Sequence, residues 1–538
     1  MNNLQSNTAF LDFGQYFSKS NLSRDLPSSI VVFLVALPLC LGIALASGAP
    51  LFAGVLTGIV GGIVVSVVSG SQLSVSGPAA GLTVIVFGAI ASLGSYQTFL
   101  LAVVIAGVIQ IFLGILKAGI IANYFPSSVI EGMLAAIGII LILKQLPHAL
   151  GIDSDFEGDE SFFQADHENT FTAIYEAVNK LSYGAVIISV LSLLIMIFWP
   201  KIKRLSAIPA PVIVVVLGIV MGVLFQNTGI ALSSEQLVTI PIVSSFEQFI
   251  GLFSYPDFSQ VTNQQVWTVA ITLAVVASIE TLLSIEAVDK IDPLKRISPT
   301  NRELVAQGFG NIASGMLGGM PMTSVIVRSS VNVNSGGKTK MSAIFHGFWL
   351  LLSLLFIPMI LNKIPLACLA AILLITGYKL AKIDLFKKMY QSGKDQFIPF
   401  LVTVLAIVFT DLLKGVAIGM LVGIFYILKT NLRNPYFYKF EQSDGKDVIR
   451  IKLAQEVSFL NKAAIQYTLK NLPEGSHVII DGTESMFIDR DVLEIIHNFK
   501  HHAFSKGTVV EILNVKKQYD IPNLNELIYN PIKNKEHA

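Results

Sequence analysis

Apolar residues fall in long runs along this chain as far as Arg433, separated by short polar stretches. A helix needs roughly 20 apolar residues to cross a bilayer. Such runs predict segments at 30–47, 51–70, 79–93, 98–118, 128–145, 182–200 and 210–226, then at 267–285, 303–317, 325–335, 341–361, 366–381, 395–410 and 412–430. That is fourteen segments in two groups of seven. Segments 79–93 and 325–335 are too short to cross alone. After Arg433 the pattern changes: Val448–Leu453, His477–Asp481 and Thr508–Leu513 predict strands, with helices at Leu460–Leu472 and Asp489–Phe504 between them. Strands alternating with helices indicate a small α/β domain. The expected organisation is an N-terminal segment 1–29, a membrane domain 30–433 and an α/β domain 446–525.

Composition agrees with a membrane class. Hydrophobic residues make up 53% of the chain and charged ones 14%, with a mean hydropathy of +0.67. A soluble chain carries about a quarter charged residues. The surplus apolar surface needs the lipid bilayer as its partner. A net charge of +1 gives no reason to expect nucleic acid. Cys40 and Cys368 both lie in apolar segments and read as packed core thiols rather than a disulfide. Residues Met1 to Ser29 are too polar for a cleavable signal peptide. No HExxH, P-loop, nucleophile elbow or Cys/His metal spacing is present, so neither an enzyme nor a resident cofactor is expected.

Loop charge sets the orientation. Lys201, Lys203 and Arg204 cluster in one loop, and Lys290, Lys295, Arg296 and Arg302 in another. The acidic loop with Asp153, Asp155, Glu157, Asp159 and Glu160 falls on the opposite side and reads as a solvated outer loop. Both termini are then cytoplasmic, in a multi-pass inner-membrane protein.

Two Gly/Pro-interrupted stretches break the pattern: Ser74–Gly81 (SVSGPAAG) and Gly318–Ser324 (GGMPMTS). Each leads into a short apolar helix, and each sits third in its group of seven. Irregular backbone at membrane depth is tolerated only where it is buried in protein or lines a cavity. A matched pair points to an inverted-repeat transporter with its site near the midplane. Two half-helix N-termini facing each other favour an anion through free N–H groups and positive dipole ends. The plainer alternative is a pair of proline kinks in packed helices.

Two intramembrane charges sharpen the picture. Arg328 follows the second break, and Glu280 lies mid-segment. Such charges cost several kcal/mol unless paired or hydrated. Arg328 would supply positive field for the anion. Glu280 would pair with Arg328, bind a proton or take part in a sodium site, with Ser284 one turn on as an oxygen ligand. A purely structural Glu280–Arg328 pair is the competing reading. His346 reads as a hydrogen-bonded core histidine. Gly415, Gly419 and Gly423 share a helix face, open to internal packing or to a dimer contact.

At these residues the chain resembles the SulP family of sulfate permeases and solute-carrier anion transporters. The resemblance is carried by Ser76-Gly77-Pro78-Ala79, Ser278-Ile279-Glu280 and the run Arg328–Thr339 (RSSVNVNSGGKT), with an α/β domain after about fourteen spans. Thr300–Leu304 and Gly336–Lys340 look most like a bacterial branch often linked to bicarbonate. The resemblance implies fourteen spans in a 7+7 inverted repeat. Spans one to four and eight to eleven would form a core, the rest a gate, with a cytoplasmic STAS domain. It implies substrate contact, mainly by backbone N–H groups, at Pro78, Ala79, Ala80, Gly81, Ile326, Val327 and Arg328, and ion coupling at Glu280 and Ser284. It also implies an elevator motion in a homodimer, with sodium or a proton as coupling ion. Two departures stand out. The first span (Ala36–Gly42, ALPLCLG) lacks the Gln and aromatic of many members. Arg490 and Asp491 occupy the place where phospho-regulated STAS domains carry a serine. A scaffolding role with a cytoplasmic partner is the reading for that domain. The competing functions are a nucleobase–cation symporter of the same fold, and a non-transporting membrane scaffold acting through the STAS domain.

Overall fold

The structure, a computed structural model, describes residues 18–152, 169–202, 209–226, 228–239, 246–433, 436–443, 446–503, 507–516 and 519. The acidic residues at 153–160, the cations Lys203 and Arg204, and the end of the expected 446–525 domain lie outside the described residues. The chain forms two compact units, 1–421 and 422–538.

All fourteen apolar segments contain helix. In chain order they are α1 (Lys19–Ala46), α2 (Leu51–Val60), α3 (Thr83–Leu93), α4 (Tyr96–Ile115), α5 (Ser127–Leu150), α6 (Tyr183–Phe198) and α7 (Ala210–Phe225). Then follow α8 (Gln264–Ile291), α9 (Thr300–Leu317), α10 (Ile326–Asn334), α11 (Met341–Phe356), α12 (Leu366–Leu380), α13 (Lys394–Phe409) and α14 (Leu412–Arg433). Among the described residues, eight stretches are long and apolar enough to cross a bilayer alone, and α3 and α10 are not among them.

Two bundles make up the first unit. In one, α4 runs along α9 and α8, while α1 runs along α2 and α11. In the other, α5 runs along α12 and α13, while α6 runs along α12 and α7. Without a hydrophobic force between helices in lipid, close packing of small residues holds them together. Gly107 and Gly308 meet where α4 crosses α9: a Cβ on either would lie 2.6 Å from the other's carbonyl oxygen. Gly138 and Gly377 play the same part between α5 and α12.

Helix α1 starts earlier than the apolar run, at Lys19, so residues 19–29 are not a separate tail. The buried Asp25 explains this. Its carboxylate accepts from the backbone N–H groups of Lys338 (2.7 Å) and Thr339 (3.0 Å). That contact ties a polar helical turn to the loop after α10.

The glycines of α14 settle between the two open readings at two positions. A Cβ on Gly415 or Gly419 would collide with Ile407 or Thr403 of α13, so these positions pack internally. Gly419→Ala is expected to cost about 1 kcal/mol of stability and to leave the oligomeric state unchanged. Melting and size-exclusion profiles in detergent check this, and a shift to a smaller species would return the glycines to a subunit contact.

Two three-residue strands sit inside the first unit, β1 (Ser76–Pro78) and β2 (Met322–Ser324). The second unit carries β3 (Tyr436–Ser443), β4 (Lys446–Leu453), β5 (Glu456–Val457), β6 (His477–Asp481), β7 (Phe487–Ile488) and β8 (Val509–Leu513). Its main sheet has the order β3-β4-β6-β8, with β3 antiparallel to β4 and the other pairs parallel. Helices α15 (Lys462–Lys470) and α16 (Arg490–Ala503) pack over it around Val478, Ile480, Ile465 and Ile496. The three predicted strands and two helices are all present. Strand β3 was not expected: it precedes the boundary at 446, and its exposed Phe437 and Phe440 obscure a buried–exposed alternation.

Candidate functional site

Both Gly/Pro breaks become the same structure. Each is a short extended piece, followed by a turn and a short helix. The two extended pieces pair antiparallel, with Ser76 opposite Ser324, Gly77 opposite Thr323 and Pro78 opposite Met322. The chain then enters a 3-10 turn at Ala80–Leu82 and α3 on one side, and α10 on the other. Neither helix start has a side-chain cap. The backbone N–H groups of both first turns are therefore left to a ligand or water.

The strands are held by a buried polar network that the sequence reading did not single out. Asn311 donates to the Gln110 Oε1 (2.7 Å), and its own Oδ1 accepts from the Met322 N–H (2.7 Å). Gln307 donates to Ser76 Oγ (2.7 Å), and Ser314 to the Met320 carbonyl (2.7 Å). Thr57 Oγ1 accepts from the Met320 N–H (2.7 Å). The Ser74 and Ser324 hydroxyls meet at 2.5 Å, and Ser329 Oγ accepts from the Val75 N–H (2.9 Å). A signal for part of this was present: Gln307, Asn311 and Ser314 recur at the spacing of one helix face. Satisfying irregular backbone in this way is what makes it tolerable at membrane depth.

A narrow cavity lies where the two first turns converge. Its volume is about 20 Å³, enough for roughly one water-sized group. Six of the predicted site residues line it: Ala80, Glu280, Ser284, Ile326, Val327 and Arg328. Pro78, Ala79 and Gly81 do not. Pro78 ends β1, Ala79 is buried in the packing behind it, and Gly81 faces the Glu280 carboxylate, where a Cβ would stand 3.1 Å from Oε1. Leu39 and Ile43 of α1, Val325 just before α10, and Leu412 at the start of α14 complete the wall. The first span thus contributes aliphatic side chains to the wall. Leu412 escaped sequence reasoning because nothing distinguishes it locally from other span leucines.

Arg328 is fully buried, with 0% exposure. Among the described residues, none of its three side-chain nitrogens has a hydrogen-bond partner, and it forms no ion pair with Glu280. The structural pair considered from sequence is therefore not formed. The Cys40 thiol lies beside the guanidinium. Gly58 and Gly77 make room for it: a Cβ on Gly77 would strike Nη1, and one on Gly58 would come within 3.8 Å of it. His346 is buried nearby, within reach of the Arg328 charge. Leaving a buried charge without a counter-charge costs several kcal/mol. A negatively charged partner at this place would offset that cost.

Paired half-helices between two bundles of a multi-pass helical protein define a membrane transporter. Residues 22–403 match the sulfate permease family, and the chain belongs to that family. Its membrane fold is that of known members. A putative sulfate transporter, YvdB, of Bacillus subtilis (strain 168) is 28% identical over 414 residues, covering 77% of this chain and 75% of the relative. The transmembrane domain of a cyanobacterium bicarbonate transporter, BicA, aligns with a TM-score of 0.51 at 25% identity, covering 76% of this chain and 98% of that one. The overall structure of SLC26A9 aligns at 0.65 with 15% identity, covering 94% and 86%, a likeness of fold.

Proposed function

We propose that this protein carries a small inorganic oxyanion, sulfate or bicarbonate, across the inner membrane. The observation that carries the reading is Arg328, a fully buried guanidinium without a hydrogen-bond partner among the described residues, at the uncapped start of α10. The anion would sit between the first turns of α10 and the helix after β1. It would be held by backbone N–H groups around Ala80, Ile326 and Val327 and by the Arg328 charge. Pro78, Ala79 and Gly81 would shape the turn rather than touch the ligand.

Alternating access would use the two bundles. The bundle of α1–α4 and α8–α11 bears both breaks, and the other supplies Leu412. Sliding the first against the second carries the site across as an elevator. A cavity of about 20 Å³ is too small for an oxyanion, so the wall around Leu39, Ile43 and Leu412 must part on loading. Glu280 and Ser284 form the coupling centre, for a sodium ion or a proton, in symport; anion exchange is the alternative mode. The second unit acts as a STAS-type assembly domain on the cytoplasmic side of a homodimer.

The test is uptake of labelled sulfate and of labelled bicarbonate into proteoliposomes, with and without an inward sodium gradient and at two pH values. Transport of neither anion under any gradient would end the proposal. Glu280→Gln is expected to keep anion binding and to flatten the dependence on sodium or pH, because it removes the titratable, cation-binding charge while keeping the shape. Unchanged sodium and pH dependence in Glu280→Gln would remove Glu280 from the coupling role.

A further inference from the structure

We infer that His346 is a specificity residue of the central site: protonated, it lets the site hold a divalent oxyanion, and neutral, it leaves the site matched to a monovalent one. The inference rests on the transport reading above for the anion, and on the packing around Arg328 for the part His346 plays.

A chain of contacts runs from the cavity to His346. Arg328 lines the cavity. Its guanidinium reaches past Gly77, where a Cβ would strike Nη1, to Gly58 of α2. A Cβ on Gly58 would stand 2.7 Å from Cys40 Sγ of α1, 2.9 Å from Leu350 Cδ1 of α11 and 3.8 Å from Nη1. Helices α1, α2, α10 and α11 therefore meet at this point. His346 lies one turn before Leu350 on α11. It is wholly buried, and the Arg328 charge acts on its ring. The next residue, Gly347, abuts Gly62: a Cβ on Gly62 would lie 2.6 Å from the Gly347 Cα. That close approach fixes α11 and keeps the ring from withdrawing.

The ring is buried, as the sequence suggests, but it is not the hydrogen-bonded histidine expected there. Neither ring nitrogen makes a well-formed hydrogen bond among the described residues, although the Ala343 backbone, one turn back, lies beside the ring. A buried imidazole ordinarily finds partners for its polar atoms. The groups around it supply no counter-charge. On α1, Lys19 and Arg24 lie at the exposed start, Asp25 is engaged by the Lys338 and Thr339 N–H groups, and Cys40 stands beside Arg328. The stretches 51–68 and 358–361, which also pack on α11, contain no ionisable residue. At the start of α11 itself, the Lys340 ammonium donates to the Val67 and Ser69 carbonyls. Arg328 is thus the charge that His346 faces.

Imidazole is the side chain whose charge changes nearest neutral pH. In the empty protein an imidazolium would add a like charge beside a guanidinium that already lacks a counter-charge. A monovalent anion such as bicarbonate balances Arg328 alone. Sulfate brings a second negative charge, and a proton on His346 supplies the second positive one. That proton is taken from solvent on binding and returned on release. The charge of Glu280 is balanced separately, by the sodium ion or proton of the coupling centre. Proton and dianion then reinforce each other's binding, and the effect is reciprocal.

The experiment follows proton uptake by the full chain in weakly buffered detergent with a pH indicator, on adding sulfate or nitrate, a monovalent oxyanion. Introducing His346→Gln is expected to lower the uptake on adding sulfate by about one proton per bound anion, in wild type and in the Glu280→Gln background alike. Nitrate shows no such difference. His346→Gln should also weaken sulfate relative to nitrate by about tenfold, read from anion-dependent melting. Equal proton uptake with and without His346→Gln, or an unchanged sulfate-to-nitrate ratio, overturns the assignment. A second measurement needs no anion: the nitrogen resonances of isotope-labelled His346, followed with pH. In Arg328→Ala the ring should take up its proton at a higher pH than in wild type, and an unmoved titration overturns the link to Arg328. If the titration moves but neither anion binds, the transport reading fails and the link between Arg328 and His346 stands.

Discussion

Arg328→Ala is expected to abolish uptake of labelled sulfate and bicarbonate while leaving the protein folded. The guanidinium is wholly buried and lacks a hydrogen-bond partner among the described residues. On the proposed reading it is a cost in the empty protein and the counter-charge of the ligand in the loaded one. Truncating one member of a buried charge pair costs about 2–5 kcal/mol, or roughly thirtyfold to several thousandfold in affinity. Removing an uncompensated buried charge does not destabilise the empty fold by the same argument. The two effects have opposite signs, and that makes the test specific. Ligand raises wild-type stability by RT ln(1 + [L]/Kd). Melting in detergent with increasing sulfate should therefore rise for wild type and stay flat for Arg328→Ala, whose melting without anion is equal or higher. Wild-type uptake rates in the variant would remove Arg328 from the site.

Gly77→Ala should reproduce much of that loss without touching any charge. A methyl group at Gly77 meets Nη1 of Arg328. Gly77 is held in the pairing with Thr323, so the strand cannot easily withdraw, and the guanidinium has to move. Overpacking of a filled site costs about 1–3 kcal/mol, or roughly fivefold to a hundredfold in the step that needs the arginine in place. Combining the two changes tests the mechanism. In an Arg328→Ala background, Gly77→Ala fills vacated space and should have no further effect on anion-dependent melting. Additive losses in the double variant would mean that Gly77 acts through the strand pairing and not through the arginine.

The coupling role proposed for Glu280 has a kinetic signature of its own: a change in ion dependence in Glu280→Gln with anion binding kept.

Much of this architecture was legible in the linear sequence. Apolar runs are local, so each of the fourteen predicted segments contains helix, and three of the strands in the second unit were placed as well. The breaks at Ser74–Gly81 and Gly318–Ser324 were legible for the same reason, since glycine and proline act on the residues beside them. So were Arg328 and Glu280, as charges where charge is expensive. What lay beyond reach depended on residues far apart in the chain. Only the tertiary structure pairs Ser76 with Ser324, seats Arg328 against Gly58 and Gly77 rather than Glu280, and brings Leu412 to the wall. The helical start at Lys19 also needed a distant partner, the loop at Lys338–Thr339 that satisfies Asp25. Helix and strand are decided by short-range hydrogen bonding and by burial along a few turns. A site is decided by which buried polar groups find each other, and that is a property of the packed whole.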